Sequence, residues 1–153
     1  KAREFGYHAQ VINSGRFVND SMGGYTAKQT VKKIIAAGKD VRAAKVLIMG
    51  ATFKEDVSDI RNSKVADVVK EFSSFGVNVD VIDPHASSEE LKHEYGFGLA
   101  DKVGNDYDAI YVAVNHQEYL GLDENYFLSI SSKQNPILVD LKGIYKNKIS
   151  KMT

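Results

Sequence analysis

The chain has 153 residues, 43% of them hydrophobic and 26% charged, which is enough for one domain with an ordinary core. Its 20 Lys+Arg balance 20 Asp+Glu, so the net charge is zero. Nucleic acid and membrane surfaces call for a basic excess and are not expected as partners, although a few local cations still suffice for one small anion.

Residues 1–38 are expected to be helical. Val11, Ile12 and Phe17 open an apolar pattern that Ala27, Val31, Ile34 and Ile35 continue at spacings near the helical period. Gly23-Gly24 interrupts the pattern and predicts a break or kink, and Gly38 suits a C-cap. Apolar residues fall on more than one face, so this segment is expected to pack on another body, such as a second subunit. From Lys45 the period changes. Lys45 to Gly50 reads as a buried strand, followed by a polar loop from Ala51 to Asn62. Ser63 is placed to cap a helix whose apolar face is Val65, Val68, Val69 and Phe72, with Gly76 at its end. A second strand runs from Val77 to Ile82 and closes at Asp83-Pro84. A short polar helix runs from Ser87 to Tyr95, with Ser87 or Ser88 as its cap. A third strand spans Ala109 to Val114, a helix Asp123 to Ser131, and a fourth strand Ile137 to Leu141. The last residues read as a frayed tail.

Apolar strands alternating with helices predict an α/β fold, a doubly wound, Rossmann-like parallel sheet preceded by the helical segment. Ligands of such sheets bind beyond the carboxyl ends of the strands. The residues after Met49, Ile82, Val114 and Leu141 are therefore the ones to inspect.

The loop after the first strand reads Gly50-Ala51-Thr52-Phe53-Lys54-Glu55-Asp56-Val57-Ser58-Asp59-Ile60-Arg61-Asn62-Ser63. It has one glycine, so the G-x-G-x-x-G dinucleotide fingerprint is absent. It offers instead Lys54 as a point charge, Arg61 as a planar fork for phosphate, Phe53 as a surface for a base, and the start of a helix. The competing reading pairs Lys54 and Arg61 with Glu55, Asp56 and Asp59 on a wet surface. On residue types alone the two readings stand level.

With no cysteine, the chain has no disulfide, thiol nucleophile or thiolate metal site. His8, His85, His93 and His116 lack ligand spacing, so no metal is expected. His116 either lines the cleft or, the favoured reading, is a loop histidine bonded to backbone. Asp83 either holds ribose hydroxyls or, the favoured reading, caps the turn before Pro84. Tyr107, Tyr111, Tyr119, Tyr126 and Phe127 read as core and rim aromatics. Ser21 and Ser63 lack triad partners. No stretch approaches the ~20 apolar residues of a membrane span, and Lys1 to Phe5 lacks the run of a signal peptide. The chain begins without Met and in mid-pattern, as a fragment would, and a cytoplasmic origin fits.

The run from Gly50 to Ser63 resembles the "G-x-x-F-K-x-x-x-x-D-x-R-x-S" signature of the UDP-glucose/GDP-mannose dehydrogenase family. Val79 to Pro84 resembles that family's next strand, and Gly15 to Met22 the end of its central helical region. The resemblance implies a helical dimerisation segment at 1–38 and a UDP-sugar-binding domain at 39–153. It implies a parent enzyme that oxidises the C6 hydroxyl of a UDP-sugar to a carboxylate, using NAD and a catalytic cysteine. The NAD domain and the cysteine would both lie before Lys1, so this chain would hold no catalytic residue and be inactive alone. By the same resemblance Phe53 and Lys54 contact the nucleotide and sugar, and Arg61 reaches the diphosphate of NAD. Lys142 stands where the family often has Arg, two residues after the strand-ending Asp140, and is assigned to substrate. Arg16 is a further substrate candidate near the domain junction. The segment from Phe5 to Met22 looks more like the branch acting on UDP-N-acetylhexosamines, which serves bacterial surface polysaccharide synthesis. A homodimer through the N-terminal helices is implied. The alternatives are a non-catalytic doubly wound nucleotide-binding or dimerisation module, and a phospho-receiver with Asp56 as acceptor.

Overall fold

A computed structural model describes residues 10–150 and 152, with side chains described from residue 21 onward. Helix α1 (Gln10–Ala36) leads into strand β1 (Lys45–Met49), helix α2 (Val65–Ser74), strand β2 (Asn78–Ile82) and helix α3 (Ser88–Tyr95). Strand β3 (Ala109–Val112), a 3-10 turn (Gln117–Tyr119), helix α4 (Glu124–Ile130) and strand β4 (Ile137–Asp140) complete the order. All strand pairs are parallel, in the order β2-β1-β3-β4. The chain steps outward from β1 to β2, then crosses back over β1 to lay down β3. The order therefore reverses between β1 and β3, where a doubly wound sheet opens a crevice at its carboxyl edge.

Both faces of the sheet are covered, which is why β1 and β3 read as unbroken apolar runs. On one face Val46, Ile48 and Tyr111 pack with Ala27, Val31 and Ile34 of α1, Val68 and Phe72 of α2, and Leu91 of α3. On the other, Leu47, Met49, Ile110 and Val112 pack with Phe127 of α4, Tyr119 and Tyr145.

Of the break or kink expected at Gly23-Gly24, the break is absent, and helix α1 runs continuously through both glycines. Gly23 serves tertiary contact instead: a Cβ on it would lie 3.0 Å from the Lys64 carbonyl oxygen and 3.3 Å from Asp67 Cβ. The absent side chain lets α1 and α2 cross closely. Gly23, Ala27, Thr30, Val31 and Ile34 form the buried stripe of α1, whereas Ile35, expected on it, is 58% exposed. Val11, Ile12, Arg16 and Phe17 have side chains outside the described ones.

Other boundaries shift modestly. The cap position of α2 is Lys64, not Ser63, although the Ser63 hydroxyl still accepts the Val65 amide at 3.3 Å. Ser87 caps α3 by accepting the Glu90 amide, and Asp123 caps α4 by accepting that of Tyr126. Strands β3 and β4 end at Val112 and Asp140, short of the expected Val114 and Leu141. The C-terminal segment is not wholly a frayed tail. Tyr145 is buried and donates its hydroxyl to the Tyr119 carbonyl at 2.6 Å. Among the described residues, no helix is long and apolar enough to cross a membrane.

Candidate functional site

At the carboxyl edge of β1 the chain turns sharply, with Gly50 lying against the segment that follows β3. A Cβ there would stand 2.5 Å from Val114 Cβ, and its φ of +96° suits glycine alone. The next residues, Thr52, Phe53, Lys54 and Glu55, line a cleft of about 660 Å³. Ala113 and Val114 after β3, Leu141 and Lys142 after β4, and Val65 and Val68 of α2 add to the lining. Met22, Gly23 and Thr26 of α1 form a further wall. Tyr111 lies at the cleft floor, 2.5 Å from the Thr26 hydroxyl. The Thr26 hydrogen goes to the Met22 or Gly23 carbonyl, so Tyr111 is the donor. Burial holds the Tyr111 phenol above its usual range.

Three of the proposed substrate residues, Phe53, Lys54 and Lys142, thus meet in one cleft. The Lys54 ammonium stands 5.5 Å from the centre of the Phe53 ring, and that ring is 50% exposed. Lys142 is set by Asp140, whose carboxylate accepts the amides of Lys142, Gly143 and Tyr145 at 3.2, 2.8 and 2.7 Å. Among the described lining residues Lys54 and Lys142 outnumber the one carboxylate, Glu55, without counting Lys64. A chain of zero net charge therefore concentrates a surplus of positive charge here.

Arg61 lies elsewhere, in a neighbouring hollow with Glu89, Glu90 and Glu94. Its guanidinium holds Asp59 through two bonds of 2.9 Å. Those bonds hold the Asp59 carboxyl down at about 2 and raise the Arg61 pKa. The wet-surface reading of the sequence therefore describes Arg61 in this structure, whereas no ion pair engages Lys54 among the described residues. The side chain of Arg16 lies outside the described ones.

Beneath the Phe53–Lys54 loop lies a buried polar cluster. The Asp83 carboxylate accepts the amides of Ala51, Thr52, His85 and Ala86 at 2.6, 3.2, 2.7 and 2.8 Å, and meets His116 Nε2 at 2.9 Å. Burial pushes Asp83 upward, but the amides and His116 outweigh it and hold the carboxyl below its usual range. His116 is fully buried, and its Nδ1 accepts the Asp56 amide at 2.9 Å. The sequence placed both residues at the right edge of the sheet, as a turn cap and a backbone-bonded histidine. It did not join them. Both follow strands that flank β1, and only the strand order brings them together under its loop.

Asp56, His85, His116 and Glu118 could hold a metal ion, their ligand-type atoms lying within 4.8 Å of one another. Both ring nitrogens of His116 are engaged, which leaves His85 Nε2 and two carboxylates as donors. His85 Nε2 already pairs with Glu118 at 3.2 Å. Asp56, the acceptor of the receiver alternative, follows β1, whereas a phospho-receiver carries its acceptor Asp behind the third strand, where this chain reads Ala113-Val114.

Residues 47–147 match the family model described as UDP-glucose/GDP-mannose dehydrogenase family, UDP binding domain. The chain belongs to the UDP-glucose/GDP-mannose dehydrogenase family. The UDP-N-acetyl-D-glucosamine 6-dehydrogenase of Salmonella typhi is 40% identical over 145 residues, 94% of this chain and 34% of that protein. The protein of the same name from Pseudomonas aeruginosa is 39% identical over 143 residues, 93% of this chain and 34% of the relative. The chain thus spans about a third of the curated relatives it matches. The crystal structure of an NDP-N-acetyl-D-galactosaminuronic acid dehydrogenase from Methanosarcina mazei Go1 superimposes with a TM-score of 0.75 at 28% identity. It covers 84% of this chain and 27% of that one. A UDP-D-ManNAc dehydrogenase from Pyrococcus horikoshii, 19% identical, shares the fold with a TM-score of 0.77 over 95% of this chain and 33% of its own. In this UDP-binding domain the cleft lies at the crossover between β1 and β3, where the fold directs ligands.

Proposed function

We propose that this chain binds the nucleotide of a UDP-sugar within an NAD-dependent UDP-sugar 6-dehydrogenase. The observation that carries the reading is the cleft at the β1/β3 crossover, where Phe53, Lys54 and Lys142 converge around a positive surplus. A nucleotide-sugar diphosphate brings matching negative charge, and its base needs an apolar surface. Phe53 serves the base, Lys54 and Lys142 the diphosphate and sugar. Exposed Met22 and Leu141 at the rim supply apolar cover once a ligand is seated.

The sugar is a UDP-N-acetylhexosamine, supported by the substrates named for the two bacterial relatives. The parent protein oxidises its C6 hydroxyl to the acid for surface polysaccharide synthesis in the cytoplasm. NAD supplies the hydride acceptor and is held mainly outside this chain. Arg61, away from the cleft and strongly exposed, is the residue offered to its diphosphate, and it must let go of Asp59 to reach it. Having no cysteine, the chain contributes binding rather than a covalent step. Residues 1–38 serve as the dimerisation segment, with Arg16 near the junction, and residues 39–153 as the binding domain.

Calorimetric titration with UDP, against UMP, ADP and GDP, tests the reading. Saturable binding that prefers UDP and weakens at least tenfold in Lys54→Ala is expected. A folded chain that binds all four alike, or a Lys54→Ala variant that binds as well as the parent, refutes it.

A further inference from the structure

We propose that His116, gripped between Asp83 and the amide of Asp56, is a positioning residue that holds the Phe53–Lys54 loop in its ligand-receiving shape. The inference rests on the nucleotide reading of the cleft and adds a residue that does not line it.

The loop from Ala51 to Ser63 contains no regular strand or helix, and Phe53 and Lys54 point outward from it. Left to itself such a segment samples many conformations, and a ligand that selects one must bear the ordering entropy. Here the order is built in beforehand. The Asp56 amide is a donor, so His116 Nδ1 accepts. The ring proton therefore sits on Nε2, which faces Asp83 at 2.9 Å and the Thr52 hydroxyl oxygen at 3.2 Å. That hydroxyl gives its own hydrogen to the carbonyl of Lys54 at 2.7 Å. One imidazole thus connects the buried carboxylate after β2 to the Asp56 amide directly and to the Lys54 carbonyl through the Thr52 hydroxyl. The Asp56 carboxylate closes the circuit by accepting the Gln117 amide at 2.8 Å, tying the loop to the segment after β3.

The direction of each bond makes the arrangement specific. Asp83 is held ionised by its amides and so demands a donor from the ring. The Asp56 amide demands an acceptor. A neutral imidazole protonated at Nε2 meets both demands. Gln at this position extends its Nε2 toward Asp83, but its Oε1 does not fall at the place of Nδ1, so the Asp56 amide loses its acceptor. Asn places an oxygen near Nδ1 and loses the reach to Asp83. The two substitutions divide the grip into its halves.

The experiment combines amide hydrogen exchange with UDP titration of the chain and its His116→Gln, His116→Asn, Lys54→Ala and His116→Gln/Lys54→Ala forms. Native-like circular dichroism is required of each. The Asp56 amide is expected to be protected in the parent and in His116→Asn, and to exchange at least tenfold faster in His116→Gln. UDP binding is expected to weaken about tenfold in His116→Gln and not to weaken further when that change is added to Lys54→Ala. An equal loss on both backgrounds, or an Asp56 amide indifferent to His116→Gln, overturns the proposal. Should the parent bind no UDP, the nucleotide reading fails by itself. The exchange rates then decide alone whether His116 orders the loop.

Discussion

Lys142 is a point charge at the end of a turn that Asp140 organises through three amides. Lys142→Ala is expected to weaken UDP binding three- to tenfold, about 0.7–1.4 kcal/mol, without moving the melting temperature, because the side chain is exposed. Lys142→Arg restores a planar fork and should bind at least as tightly as the parent. Calorimetry on the pair checks both. Asp83 carries an acid-stability prediction. Its folded-state pKa is depressed, so its contribution is present above the unfolded value near pH 4 and is lost as pH falls through the folded value. Urea unfolding between pH 7 and 3 should therefore show stability declining below about pH 4. Asp83→Asn should be less stable at neutral pH and show a shallower decline. At this scale Phe53, Lys54 and Lys142 were legible in the sequence, because a motif next to a strand end fixes them locally. The Asp83–His116 contact was not, since it depends on which strands flank β1. The pairing of Arg61 with Asp59 is equally local, and residue types left it level with a free Arg61 only because two neighbouring charges carry no information about a distant ligand.

Helix α1 shows how tertiary contact overrides propensity. Two adjacent glycines weaken a helix and read as a break, yet α1 continues because α2 needs the space at Gly23. The two glycines should therefore respond oppositely to substitution. At Gly23 the obstacle is a backbone carbonyl, which cannot swing aside, so Gly23→Val is expected to destabilise by about 1–3 kcal/mol. At Gly24 the nearest atom is the mobile Glu71 carboxylate at 3.3 Å, so Gly24→Ala should gain up to about 1 kcal/mol from helix propensity. Thermal and urea unfolding distinguish the signs. The core positions of α2 were legible because its apolar stripe is clean, with Val65, Val68, Val69 and Phe72 all buried. Ile35 was misplaced because α1 carries apolar residues on several faces, so periodicity alone does not choose the one that faces the sheet.

Across the molecule, the parallel sheet and its covered faces follow directly from apolar strands without alternation. Strand order does not follow from pattern, nor does the anchoring of the C-terminal segment, where Tyr145 is buried and Ile144, Ile149 and Met152 pack against the same cluster without a regular period. The exposed Tyr25 and Ile35 of α1 carry the homodimer proposal. Ile35→Glu is expected to lower association in sedimentation equilibrium while changing stability by less than about 0.5 kcal/mol. Unchanged association would leave α1 without that role.

Helix α1 also walls the cleft through Met22, Gly23 and Thr26, and the Thr26–Tyr111 bond joins that wall to the floor. If that helix is the surface on which a second copy sits, association and occupancy are thermodynamically linked. A nucleotide that prefers one placement of the helix shifts the monomer–dimer equilibrium. By reciprocity, the dimer shifts nucleotide affinity by the same factor. Dissociation constants for UDP would then depend on the concentration of the protein itself.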